Sequence, residues 1–426
     1  MSEIILTDII LDGSPVDIRI SGSVFKEIVP AGKGFREPVP QGCETLDCKG
    51  KTAVPGFYNM HTHAAMSLMR GVQEDALNLQ EWLDKVWAIE AEIDSDFVYW
   101  GTKVACLEMI RTGTTTFNDQ YWFSEAAHKA AVEMGVRPVI SYVVLDHNDP
   151  KEAARQREQC EKRYRDSLRW KGDAIFEVAF HAIYSVSEEM IKWVSEFARS
   201  HSLHLHIHLS ETLKEVEECK AQHGGLSPVE YLDTLGVLSP NLIAAHTLWL
   251  SDADVRLLGE RGVTCVHNIN SNAKLASGFK FRYNELRDAG ANVCLGTDGC
   301  ASSNNLDMLE AMKTSAIFQK AWRQDTRALP LDELLSLVTV NGAKALGLDG
   351  GTIAEGKLAD ISIVDTDNSF FLSPAPFLSN LVYSAHSDCI ESVIAGGRLV
   401  MKDRRIEGER EILDNAREVL KEIIKK

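Results

Sequence analysis

Short alternating stretches open the chain. Ile4-Ile5-Leu6, Val16-Asp17-Ile18-Arg19-Ile20 and Val24-Phe25-Lys26-Glu27-Ile28 are apolar-polar patterns broken by turn residues, the mark of small antiparallel strands. A matching set returns near the other end, in Asp360-Ile361-Ser362-Ile363-Val364, Ile390-Glu391-Ser392-Val393-Ile394 and Arg398-Leu399-Val400. Neither set is long enough to bury a core alone, so the two are expected to pair into one small β-sandwich built from both termini. Between them the rhythm changes to apolar strand, polar helix, apolar strand, which predicts a parallel sheet covered by helices. Eight strand candidates fall at 52–60, 114–117, 136–144, 176–180, 203–207, 242–245, 263–266 and 293–296, separated by helical stretches such as 97–111 and 188–200. Eight strand–helix units predict an α/β fold, a (β/α)8 TIM barrel. The expected division is 1–52 for the first part of the sandwich, 53–352 for the barrel, and 353–426 for the rest of the sandwich with a terminal helix.

Composition narrows the function classes. At 426 residues, 45% of them hydrophobic, the chain can bury a core of this size and is not a disordered polymer. Its 62 acidic against 45 basic residues, a formal charge of −17, make a surface that repels phosphate backbones and anionic lipid. Neither a nucleic-acid partner nor a membrane is expected. The opening residues Met1 to Asp8 lack the basic stretch and apolar run of a secretory signal. The nine cysteines form no Cys-x-x-Cys pair, and Cys106, Cys265 and Cys294 sit in apolar segments; they read as reduced, buried thiols of a cytoplasmic protein.

The residues just past the strand ends carry the chemistry. His61 and His63 end the first candidate, Asn118-Asp119 the second, His181 the fourth, His208 the fifth with Glu211 three residues on, His246 the sixth, His267-Asn268 the seventh and Asp298 the eighth. In a (β/α)8 barrel the C-terminal strand ends converge on one mouth, so these scattered residues would meet. His61-Thr62-His63 places two imidazoles on one side of an extended backbone, a pattern that carries little by itself. Joined by His208 and Asp298 it becomes three nitrogens and a carboxylate oxygen, a donor set suited to Zn²⁺ or Fe²⁺ with room for a water. In His204-Leu205-His206-Ile207-His208 all three rings share a face; only His208 is expected at the mouth, with His204 and His206 in interior or lower positions. Glu211 reads either as an ordinary loop carboxylate or as a proton shuttle beside the ion. Asp298 has a second reading as a helix N-cap, and Cys300 reads as packing.

The segments Pro55-Gly56-Phe57-Tyr58-Asn59-Met60-His61-Thr62-His63, His208 with Glu211, Ala244-Ala245-His246-Thr247 and Gly296-Thr297-Asp298-Gly299 together resemble the amidohydrolase superfamily. Within it the chain is most similar to the aromatic deaminases and chlorohydrolases, the branch that includes the 5-methylthioadenosine/S-adenosylhomocysteine deaminases. Ser271-Asn272-Ala273-Lys274-Leu275 and Asn341-Gly342-Ala343-Lys344-Ala345 extend the likeness. The resemblance implies a single divalent ion, zinc or alternatively iron, on His61, His63, His208 and Asp298. It implies that His246 hydrogen-bonds the attacking water and that Glu211 passes a proton to the ring nitrogen beside the attacked carbon. Asp298 would carry a proton of the water to the departing amine.

The implied reaction is hydrolytic deamination of a small-molecule aromatic amine, such as C6 of adenine in a nucleoside. Glu90 matches the family's acceptor of ribose hydroxyl hydrogen bonds, with Trp82, Leu83 and Trp87 closing over the ligand; the other reading puts Glu90 on a solvated helix face with Glu92 and Asp94. His181 and Ser302 match residues that touch the purine. Where homocysteine-accepting relatives carry an arginine on strand 3, this chain has Tyr142, which points to a small 5′ group, as in 5′-methylthioadenosine, 5′-deoxyadenosine or adenosine. A homo-oligomer is the family expectation. The alternatives are a guanine, pterin or triazine amine, a dechlorination, or a non-catalytic scaffold, the last opposed by the complete ligand set.

Overall fold

The computed structural model describes residues 3–72 and 79–424. The N-terminal strands are β1 (Glu3–Leu11), β2 (Ser14–Ser21), β3 (Val24–Pro30), β4 (Glu44–Asp47) and β5 (Lys51–Pro55). Eight strands come next: β6 (Phe57–Thr62), β7 (Thr114–Asp119), β8 (Arg137–Val144), β9 (Ile175–Phe180), β10 (Leu205–Leu209), β11 (Leu242–His246), β12 (Thr264–His267) and β13 (Asn292–Leu295). The C-terminal part adds β14 (Ile361–Asp365), β15 (Ile390–Ala395) and β16 (Arg398–Met401).

Both termini join one mixed sheet in the order β16-β15-β14-β5-β1-β2-β3, with β4 beside β1. β14 runs antiparallel to β5, Ile361 opposite Pro55 and Ile363 opposite Ala53, so the two ends of the chain are hydrogen-bonded to each other. The apolar positions of the alternating strands, Ile4 and Leu6, Ile18 and Ile20, Ile361 and Ile363, pack into one cluster with Phe25 and Ile394. The far edge then curls back: Phe25 N donates to Lys357 O at 3.0 Å and Ala359 N to Ser23 O at 2.8 Å, which encloses that cluster.

The second sheet is parallel, each strand from β6 to β13 pairing with the next in chain order. Its two edges meet through Asp298 N to His61 O (2.9 Å) and through the side chains of Asn59 and Thr297 (Nδ2 to Oγ1, 2.7 Å), closing the (β/α)8 barrel. Helices cover it outside. The helix Glu188–Ser200 shows why: Ser187 caps it by accepting from Met190 N, and Met190, Ile191, Val194 and Phe197 form the stripe that faces the strands. Inside the barrel Met60, Val139, Ile243, Val266 and Cys294 pack across from one another below the mouth.

The strand expected over 52–60 is two strands in two sheets. The chain bends at Gly56, where any Cβ would lie 2.4 Å from the Thr115 side chain, and passes there from the terminal sheet into the barrel. Eight of the nine cysteines are buried and none is paired, and no described helix is long and apolar enough to cross a membrane.

A buried ion pair ties the barrel to the terminal sheet. Arg137 Nη1, at the start of β8, donates to Asp360 Oδ2 (2.7 Å) and to Thr116 Oγ1 (3.0 Å), while Asp360 Oδ1 accepts from Gly396 N (2.7 Å). Arg137→Leu leaves the Asp360 carboxylate buried without its cation and is expected to lower the free energy of unfolding by about 3–5 kcal/mol. Urea denaturation of the two chains checks this, and an unchanged midpoint would show that the pair does not hold the sheets together.

Candidate active site

The C-terminal ends of the barrel strands bring seven of the expected residues to one mouth. His61 and His63 leave β6, His208 lies within β10 and His246 ends β11, while His181, Glu211 and Asp298 come just after β9, β10 and β13. His61, His63 and His208 each offer a donor atom, all within 4.8 Å of one another, and His61, His246 and Asp298 do the same. Asp298 Oδ1 stands 3.4 Å from His61 Nε2 and 3.2 Å from His63 Nε2.

The far side of each ring is held. His63 Nδ1 is 2.6 Å from Gln120 O, His208 Nδ1 is 2.9 Å from His181 O, and His61 Nδ1 is 3.0 Å from His206 Nε2. Each Nδ1 is thereby occupied and each Nε2 left for the cavity, the arrangement that protein metal sites use to fix an imidazole ligand. His61 Nε2 is buried and makes no hydrogen bond. Three imidazole nitrogens and a carboxylate oxygen thus converge with their supporting hydrogen bonds in place, and the donor set fits a divalent ion such as zinc.

Asp298 is clamped on its other side. Ser271 Oγ and Ser302 Oγ donate to Oδ2 at 2.6 and 2.9 Å, and Gly299 N donates to Oδ1 at 2.9 Å. The turn after β10 is tied down by Glu215, whose two oxygens accept from Ser210 N and Glu211 N at 2.9 and 2.8 Å. Glu211 then faces His246, Oε2 to Nε2 at 3.7 Å, and its Oε1 accepts from Ser277 Oγ at 3.3 Å. His246 is steadied through Nδ1 by Asn272 Nδ2 at 2.9 Å and Asn268 Nδ2 at 3.4 Å. Ser210, His246, Thr247 and Asp298 all have left-handed backbones, with φ of 52°, 71°, 42° and 65°. Such strain in non-glycine residues gathers where a site demands it.

His63, His181, His208, Glu211, His246 and Asp298 border a cavity walled by Trp82, Leu83, Val86, Trp87 and Leu275. Burial shapes its electrostatics. It drives His61 and His208 well below the usual histidine range, and it takes His181 down to about 3, so their lone pairs are free. Burial alone would raise Asp298, yet His61 and His63 hold it well below the ordinary carboxylate range; His63, which burial would lower, is lifted to about 9 by that same partner. Glu211 goes the other way: burial, then the Asp298 carboxylate, push it up to about 8, so it keeps a proton at neutral pH.

The amidohydrolase family profile matches residues 52–400. The chain belongs to the amidohydrolase family. It is 44% identical over 97% of its length to a 5′-deoxyadenosine deaminase of Methanoregula boonei, covering 93% of that protein. It is 40% identical over 96% of its length to 5-methylthioadenosine/S-adenosylhomocysteine deaminase 1 of Archaeoglobus fulgidus, covering 95% of it. Among solved structures, an adenosine deaminase from Xanthomonas campestris with bound zinc superposes with a TM-score of 0.90 at 31% identity, covering all of this chain and 98% of that one.

Elsewhere in this amidohydrolase the expected residues divide. Glu90, Trp87 and His181 line the cavity with the histidines and Glu211. Glu90 ends the helix Leu79–Glu90 and is half-buried, its Oε1 shielded and without a hydrogen-bond partner, whereas Glu92 and Asp94 are exposed. Tyr142 does not line this cavity. In β8 the side chains of Ser141 and Val143 point into the barrel, so Tyr142 points out of it, into a neighbouring cleft with Arg155 and Arg163. Ser302 is likewise absent from the lining, because its hydroxyl turns back onto Asp298. Sequence patterns do not mark His206, Glu177 or Glu215 as part of the site. Only Glu215 carries a local signal, since Thr212 and Glu215 have capping-box spacing at the start of the helix Leu213–Gln222.

Proposed function

We propose that this amidohydrolase is a metal-dependent aminohydrolase that converts an adenine nucleoside into its 6-oxo analogue and ammonia. The observation that carries the reading is the convergence of His61, His63, His208 and Asp298 at one mouth with the buried carboxyl of Glu211 beside them, facing His246 at 3.7 Å. Those four residues would hold one divalent ion, zinc by preference; bound there, it would lower the pKa of a water toward neutrality and supply a nucleophile at pH 7.

This chain's own groups then have separate tasks. Glu211 donates its proton to the purine nitrogen next to the attacked carbon, which makes that carbon electrophilic. His246 orients the water through Nε2, its ring steadied by Asn272 and Asn268. Of the water's two protons, one restores Glu211 and the other passes through Asp298 to the departing amine, so the products balance as ammonia and a 6-oxo purine. The Trp82, Leu83, Val86 and Trp87 wall excludes bulk water. Glu90, with a shielded oxygen lacking a partner, is suited to accept from ribose hydroxyls, which favours a nucleoside over a triazine or a free base.

The 5′ group is argued from what the lining lacks. No lysine or arginine is among the described residues that line the cavity. In the neighbouring cleft Arg155 is paired with Glu152 at 2.6 Å and Arg163 with Glu125 at 2.5 Å. Among the described residues that line the cavity and this cleft a substrate carboxylate would find no unpaired cation, so a small apolar 5′ group fits better. Ammonia release is expected from 5′-deoxyadenosine and 5′-methylthioadenosine, with kcat/KM about tenfold above that for S-adenosylhomocysteine. A preference for S-adenosylhomocysteine would overturn the specificity argument, and activity only on ribose-free amines would overturn the nucleoside reading.

Glu211→Gln keeps the shape and removes the proton. It is expected to retain the metal content of the parent, by elemental analysis, while kcat falls about 100-fold or more. Loss of the metal in this variant would place Glu211 among the ligands instead.

A further inference from the structure

We propose that His206 and Glu177 are positioning residues that hold His61 in the one tautomer able to ligate a metal ion. The proposal rests on the metal centre described above and concerns how the barrel interior prepares it.

Two of the three ligand rings are held by backbone carbonyls, Gln120 O for His63 and His181 O for His208. A carbonyl can only accept, so those rings must carry their proton on Nδ1. His61 differs: its Nδ1 faces another imidazole, His206 Nε2, at 3.0 Å. An imidazole nitrogen can donate or accept, so this contact alone leaves the His61 tautomer open.

The choice is made one step further on. His206 Nδ1 lies 2.9 Å from Glu177 Oε1 and 3.2 Å from Asn118 Oδ1, both acceptors, so the His206 proton sits on Nδ1. In the neutral His206 ring Nε2 then accepts, the shared proton belongs to His61 Nδ1, and His61 Nε2 is left with a bare lone pair toward Asp298. Glu177 is fixed by Ser141 Oγ at 2.6 Å to Oε1 and by Asn118 Nδ2 at 3.3 Å to Oε2. His61, Asn118, Ser141, Glu177 and His206 are fully buried, one from each of β6 to β10, so no bulk water competes for these bonds.

Zinc affinity of the full-length chain, read by competition with a chromogenic chelator, tests this through two substitutions. His206→Gln keeps a carboxamide oxygen that can accept from His61 Nδ1; His206→Leu does not. The expected result is a loss of about 10–100-fold for His206→Leu, with His206→Gln close to the parent. Parental affinity in His206→Leu, or an equal loss in both variants, would overturn the proposal. A parent chain that binds no zinc would overturn the metal centre and the relay together. Independently of either variant's folding, nitrogen-15 spectra of histidine-labelled, metal-free parent protein report which His61 nitrogen is protonated: Nδ1 is expected, and a proton on Nε2 would overturn the relay.

Discussion

Closure of the barrel between β6 and β13 is the constraint on which the site depends. His61 and His63 leave one edge of the parallel sheet and Asp298 leaves the other; they are neighbours only because the edges meet. The seam is made by Asp298 N on His61 O and by the paired side chains of Asn59 and Thr297. Gly296 allows it: a Cβ there would stand 2.9 Å from His61 N and 2.5 Å from Asn268 Oδ1. The donor set is therefore a property of the closed barrel and not of any local segment.

Around that seam the structure sets burial against specific partners. Desolvation leaves His61, His181 and His208 neutral and their lone pairs available, while Asp298, which burial would raise, stays ionised because the charged His63 ring faces it and Ser271, Ser302 and Gly299 donate to it. Glu211 is pushed the other way by burial and by the Asp298 carboxylate, against a long hydrogen bond from Ser277, and so remains an acid. Two carboxyl groups in one cavity thus differ in charge because their surroundings differ. The left-handed backbone at Ser210, His246, Thr247 and Asp298 is destabilising on its own and is offset by the packed barrel beneath.

Strand order, the terminal sheet and the residues at the strand ends were legible because the alternation and the placement of His61, His63, His208, Glu211, His246 and Asp298 are local patterns. Features that depend on distance or phase were not legible. Tyr142 stands where a substrate contact was expected, but which face of β8 it takes depends on Ser141 reaching Glu177, a neighbour 36 positions away. Ser302 is close to Asp298 in sequence, and only the turn Cys300–Ser303 sends its hydroxyl back to that carboxylate. The reading that kept His206 in the interior holds, yet its partner His61 is 145 positions distant. Gly56 breaks a continuous apolar run into strands of two sheets, and the cause is the Thr115 side chain of another strand.

The most direct measurement is a crystal structure of the zinc-loaded chain with anomalous data at the zinc edge. The expected result is one peak per chain at about 2.0–2.2 Å from the Nε2 atoms of His61, His63 and His208 and from a carboxylate oxygen of Asp298. A peak elsewhere, or one that leaves either His61 or Asp298 unbound, would contradict a site built across the β6–β13 seam.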